Sequence, residues 1–281
     1  MKIGFCMFLW GPSVTLQQRP IFEALKATGY DGIEIPTISG DIATYRTLGA
    51  ILDDIGLDRT TLTVLPQGKN PLSDEPAQRQ AAVDHLAFAL DCSAAIGSKL
   101  ICCPIHQTLG EFTGLPPSEV EVERGCAFHR AAGDLAAARG ITIAVEAMNR
   151  FESHFLNTMA QLVAYMDRVG HPAVNGMYDT FHANIEEGDA VGTIVPSLRR
   201  IAHVHLSEND RGVPGRGHVP WAATFKTLKQ AGYDGWLTIE AFSRASPEFA
   251  FKTRVWRDFA SNHADVFHEG FRFVRAGWDA A

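Results

Sequence analysis

The chain has 281 residues, is 46% hydrophobic and 20% charged, which is ordinary globular composition with room for one large core and excludes a disordered or fibrous polymer. A formal net charge of −7, with no Lys/Arg run, leaves no electrostatic footprint for nucleic acid. No stretch approaches the roughly 20 apolar residues of a membrane-spanning helix. Cys6, Cys92, Cys102, Cys103 and Cys126, odd in number and without Cys-x-x-Cys spacing, read as buried reduced thiols of a cytoplasmic protein.

Taken in chain order, short β-rich runs alternate with longer helical patterns. The opening "KIGFCMF" is expected to be a core strand, since no small-residue cleavage site follows it. "GIEIP", "TTLTVLP" and "SKLICCP" follow as strands two to four. "PAQRQAAVDHLAFALDCSAAIG" and "ERGCAFHRAAGDLAAARG" are helical, with Gly97 and Gly140 as helix-ending residues. "ITIAVEA", "NGMYDT", "IAHVHLS" and "WLTIEAF" complete eight strands. Eight βα units in a chain of this length predict a single-domain (β/α)8 TIM barrel of about 250 residues. "ATGYDGIEI" at 27–35 returns as "QAGYDGWLTIE" at 230–240. That echo suits either repeated units or a turn favourable between any helix and strand. The barrel is expected to occupy residues 1–267, with 268–281 as a C-terminal helical extension. Phe267, Phe271, Val274 and Trp278 recur there at i, i+4, i+7 and i+11, an apolar stripe that predicts contact with a partner subunit in a homodimer or homotetramer.

The last four strands end in metal-capable side chains: Glu146, Asp179, His205 and Glu240, separated by 33, 26 and 35 residues. Each interval is about one βα repeat, so successive strands present one such group at the face where barrels build active sites. A lone Asp or His after a strand is more often a helix cap or a satisfied core group, but four at repeat spacing are not so easily dismissed. Three carboxylates and an imidazole form a hard, oxygen-rich set suited to Mn²⁺, Mg²⁺ or Co²⁺. Glu152, His182 and Arg211 follow in the loops above and are placed to hold substrate hydroxyls.

"VEAMNRFESHFLNT", "YDTFHANIEE", "HVHLSENDRGVPGRGHVPW" and "WLTIEAF" together resemble the ketose 3-epimerases (D-tagatose, D-psicose and L-ribulose 3-epimerases) of the xylose-isomerase-like barrels. The resemblance implies a divalent metal, Mn²⁺ foremost, held by Glu146, Asp179, His205 and Glu240. It further implies substrate contacts from Glu152, His182 and Arg211. The reaction implied is inversion at C3 of a free ketose through a cis-enediolate, with Glu146 and Glu240 as the two acid/base groups. Departures from the family's pattern fall at Cys6, where an aromatic is common, and in "LPQGKNPLS"; these leave the preferred ketose open. Trp10 and Phe242 are expected to offer stacking surfaces to the sugar, whereas Phe8 is expected in the core.

Weaker signals complete the reading. Glu34 is expected to hydrogen-bond behind the ligands, and His203 and His106 to be satisfied core residues. The loop "DRGVPGRGHVPW" lacks Walker spacing for phosphate, and its glycines suggest a mobile lid. An aldose–ketose or hydroxypyruvate isomerase is the nearest competing activity. A multi-zinc DNA endonuclease would need further histidines that "VLPQG" does not offer, and an acidic chain disfavours DNA. A non-catalytic sugar-binding barrel would not need two opposed glutamates.

Overall fold

Alternation along eight short strands decides which side chains enter the barrel and which face its helices. The computed structural model describes residues 1–281 apart from the side chain of Cys103. Its strands are β1 (Lys2–Cys6), β2 (Gly32–Pro36), β3 (Asp58–Leu62), β4 (Leu100–Cys103), β5 (Thr142–Glu146), β6 (Val174–Asp179), β7 (Ile201–Leu206) and β8 (Trp236–Ile239). All neighbours are parallel, and β8 pairs with β1 to close the barrel. This is the (β/α)8 architecture expected, with every predicted strand present.

The helices are α1 (Arg19–Thr28), α2 (Ile42–Ile55), α3 (Pro76–Ile96), α4 (Glu119–Ala137), α5 (Met159–Val169), α6 (Thr180–Glu186), α7 (Ile194–Ser197), α8 (Trp221–Gln230), α9 (Pro247–Thr253) and α10 (His263–Ala280). Local chemistry sets their ends. Asp41, Ser118 and Thr158 cap the starts of α2, α4 and α5, each accepting a hydrogen bond from a first-turn N–H. Gly97 closes α3 in the left-handed conformation, and Gly140 has positive φ just beyond α4.

Two apolar layers follow from the period-two pattern. Ile33 and Ile35, Ile143 and Val145, Val204 and Leu206, and Leu237 and Ile239 belong to the layer between strands and helices. Cys6, Leu62, Cys102, Ala144 and Met177 form a smaller cluster with Phe8, Phe242 and Phe249 of α9. The inward positions of β2 and β5 to β8 therefore run up to Glu34, Glu146, Asp179, His205 and Glu240. Cys6, Cys92, Cys102 and Cys126 are buried as expected; the Cys103 side chain lies outside what is described.

The C-terminal stripe has a different role from the one expected. α10 starts at His263, so the anticipated boundary at 267/268 falls inside it, and it packs between α8 and α1. Val274 and Phe267 are buried, Phe271 stacks on Tyr30 at 5.0 Å, and Tyr30 Oη donates to the Phe267 carbonyl at 2.7 Å. Its apolar face is thus covered by its own barrel, because β8 needs a helix on its outer side as every other strand does. The stripe supplies no argument for a partner subunit.

Candidate active site

Asp179 shows how one side chain serves both fold and site. It ends β6 and caps α6, its Oδ1 accepting the Phe181 N–H at 2.6 Å. Oδ2 is buried and accepts no hydrogen bond among the described residues. Parallel register sets Asp179 beside His205 on β7. Glu240, one residue beyond β8, is held by its N–H donating to Leu206 O at 3.1 Å.

His205 Nδ1 lies 3.6 Å from Glu240 Oε1, 3.9 Å from Asp179 Oδ2 and 4.0 Å from Glu146 Oε1. These separations exceed hydrogen bonds. They fall between the ~3.0 Å and ~4.2 Å expected for ligand atoms at right angles or opposite one another around a cation with bonds of about 2.1 Å. Asp179, His205 and Glu240 form one ligand-capable group and Glu146, Asp179 and His182 another, so Asp179 is common to both. The residues present fit a divalent cation: three buried carboxylates lie close together, and the imidazole is turned toward them.

That orientation comes from Glu34. His205 Nε2 donates to Glu34 Oε1 at 2.7 Å, which makes Nδ1 the lone-pair nitrogen facing the cluster. Glu34 Oε2 accepts from Thr60 Oγ1 at 2.9 Å and Cys102 Sγ at 3.2 Å, and His203 Nε2 lies 2.9 Å away. Burial opposes the Glu34 charge, but His205 and His203 outweigh it and hold the carboxyl well below its usual range. His106 is likewise internal, hydrogen-bonded to Ser153 at 3.1 Å and stacked on Phe155.

The loops bring the remaining groups over this floor. Arg211 bonds Glu240 through Nη1, lies 3.6 Å from Asp179 Oδ2, and places Nη2 3.0 Å from His182 Nε2. Its guanidinium packs on Phe181 and Phe242, 3.9 and 4.8 Å from the ring centres. Burial pushes Glu240 above its ordinary pKa, against the pull of Arg211 and His205. For Asp179 burial loses, and His182, Arg211 and His205 draw the pKa down. Burial takes His182 to about 4, so the ring is neutral at neutral pH. Its Nδ1 faces the Asn149 N–H at 3.0 Å, and its Nε2 faces the Arg211 guanidinium and lies 3.7 Å from Glu146 Oε1. Glu152 lies at the rim, 4.0 Å from Arg211 Nη2 and bonded to Asn149 Nδ2 at 2.8 Å.

Of the predicted aromatic surfaces, Phe242 is brought to the site and Trp10 is not. Trp10 packs on Phe5, Phe267 and His263, between β1 and α10. Phe8, expected in the core, is buried but stacks on Phe242 and Phe249 at 6.0 and 4.9 Å, extending that wall. Sequence reasoning missed Asn149, which organises His182 and Glu152, and Glu208. Each is a polar residue just after a strand that already ends in a metal-capable side chain, the only signal available.

Residues 22–275 match the family model described as xylose isomerase-like TIM barrel. The chain is 38% identical to a D-psicose 3-epimerase of Ruminiclostridium cellulolyticum, over 94% of this chain and 92% of that one. It is 30% identical to a probable ketose 3-epimerase of Synechocystis sp., over 98% and 96%. The crystal structure of D-allulose 3-epimerase from Methylomonas sp. in complex with D-allulose superposes with a TM-score of 0.91 at 27% identity, covering 98% of this chain and 96% of the other.

Proposed function

We propose that this chain, which belongs to the xylose isomerase-like TIM barrel family and within it to the ketose 3-epimerases, inverts C3 of free ketoses such as L-ribulose, D-psicose or D-tagatose. The observation that carries the reading is the approach of carboxylate oxygens of Glu240, Asp179 and Glu146 to within 3.6, 3.9 and 4.0 Å of His205 Nδ1, with Arg211 beside Glu240 and His182. A divalent cation, Mn²⁺ foremost and Co²⁺ or Mg²⁺ otherwise, would be held by those four residues and would act as a Lewis acid on the ketose oxygens.

The chain's own groups account for the rest. In this reading Glu146 and Glu240 are the two acid/base groups: one takes the C3 proton from one side and the other returns a proton from the opposite side. The cis-enediolate left between these transfers carries negative charge on O2. Arg211, with the neutral His182 ring beside it, stabilises that charge, and it does so in a buried site where such contacts count for more than in water. Glu152 orients the substrate hydroxyls from the rim, and Phe242 with Phe8 offers an apolar wall to the sugar. Among the described residues no helix is long and apolar enough to cross a membrane, and we assign the protein to the cytoplasm on its buried thiols.

The test is to incubate Mn²⁺-loaded protein in D₂O with a panel of free ketoses and follow C3. Deuterium entering C3 of an inverted ketose supports the reading. An aldose product would make the protein an aldose–ketose isomerase, and turnover of phosphorylated sugars alone would overturn the free-ketose assignment.

A further inference from the structure

The segment from Glu208 to Trp221 joins β7 to α8, carries Arg211 and contains three glycines. Its composition suggests a lid, but in the structure it is fastened at one point. The Glu208 carboxylate is fully buried and accepts four hydrogen bonds, two on each oxygen. Oε1 takes the backbone N–H groups of Asn209 and Val219, both at 3.1 Å; Oε2 takes the Gly215 N–H and the Trp221 indole N–H, both at 2.8 Å. The donors come from both limbs of the loop and from the first residue of α8. Burial opposes the charge, yet the four donors outweigh it and lower the carboxyl's pKa. A Cβ at Gly217 would lie 2.5 Å from Glu208 Oε1, so that glycine lets the chain close around the carboxylate.

The fastening bears on Arg211. Its φ of +64° is a left-handed conformation that non-glycine residues rarely adopt. Its N–H donates to Glu208 O and its carbonyl accepts from Phe242 N–H, both at 2.9 Å. We propose that Glu208 is a positioning residue for the reaction: by clamping both limbs of the loop it holds Arg211 in this conformation, with the guanidinium against Glu240 and His182. The loop is then a fixed wall of the site and not a lid.

The kinetic arm of the test rests on the ketose-epimerase reading; a proteolytic arm does not. Glu208→Gln keeps the side chain's size but leaves one acceptor oxygen for four donors. In Mn²⁺-loaded protein we expect kcat/KM for the best free ketose to fall 10- to 100-fold while bound metal is unchanged. In an Arg211→Ala background the same substitution is expected to cost less than twofold, because the residue it positions is gone. Equal fold-losses in the two backgrounds would overturn the proposal. Trypsin is expected to cut after Arg211 and Arg216 at least tenfold faster in Glu208→Gln than in wild type, with cleavage elsewhere unaltered. Unchanged cutting at those two sites would also overturn it. Trp221→Phe, which removes a single donor, should move both readings the same way by less, and covers the case in which Glu208→Gln does not fold. If no ketose is turned over by the wild-type protein, the epimerase reading fails and the trypsin comparison alone decides the clamp.

Discussion

The two halves of the barrel put the same scaffold to different uses. β5 to β8 end in Glu146, Asp179, His205 and Glu240, whose ligand atoms face one another across the barrel mouth. In β1 to β4 the buried carboxylate is Glu34, and it is spent on hydrogen bonds to Thr60, Cys102 and His205. The segment after β1 contributes Phe8 to an aromatic wall. The difference teaches that a reactive half gathers several carboxylates around one imidazole, whereas the supporting half spends its buried carboxylate on orienting that imidazole.

The most severe way to break the comparison is to remove the cation proposed for the second half. Chelation is expected to abolish epimerisation and Mn²⁺ or Co²⁺ to restore it, assayed on one protein sample before and after reloading; full turnover in metal-free protein would show the four groups to be structural. Next in size, Glu146→Gln and Glu240→Gln should each lower kcat by about 10² to 10⁴-fold, the usual weight of acid/base catalysis. Metal content must be measured alongside, and a variant that keeps its metal and epimerises at the wild-type rate would rule out the two-base mechanism.

A smaller effect is expected from the supporting half. Glu34→Gln should weaken Mn²⁺ binding by roughly 10- to 100-fold, because His205 loses the carboxylate that orients it. Direct titration of the apoprotein reads this without any activity assay, and an unchanged Kd would erase the distinction between the halves.

The least effect on turnover comes from imidazoles buried for packing. Burial, as the leading cause, lowers His106 to about 3 and His129 to about 4, against about 6.5 in an unfolded chain. The unfolded chain therefore binds protons that the folded one refuses. Stability from these two groups is complete above pH ~6.5 and is lost as pH falls toward their folded values, by about 2 kcal/mol per imidazole at pH 5. Thermal melts from pH 7.5 to 5 should show Tm falling steadily; a flat Tm would mean that these rings are protonated in the folded state.

Much of this was legible in the sequence because it depends on short-range pattern. Period-two runs marked all eight strands, and repeat-length spacing of Glu146, Asp179, His205 and Glu240 placed them at one face. The repeated Gly-Tyr-Asp-Gly segments form similar turns: Gly29 and Gly232 both have positive φ, Asp31 accepts the Ile3 N–H, and Asp234 pairs with the Met1 ammonium. Trp10 was misplaced because a 3₁₀ turn at Met7–Trp10 follows β1, and strand alternation no longer predicts direction there. The α10 stripe was misread because its spacing shows that an apolar face must be covered, not by what.

The sequence by itself determined the barrel, its closing order of βα units and the chemical type of the site, since each follows from periodicity and from residue chemistry within one repeat. Only the tertiary structure decided that Glu34 orients His205 from 171 residues away, that Asn149 and Arg211 hold the His182 ring between them, and that Glu208 fastens the loop bearing Arg211. These are hydrogen bonds between groups on different elements or on opposite limbs of a loop. They are fixed by how a closed barrel brings neighbours together, and no local pattern in the chain encodes that distance.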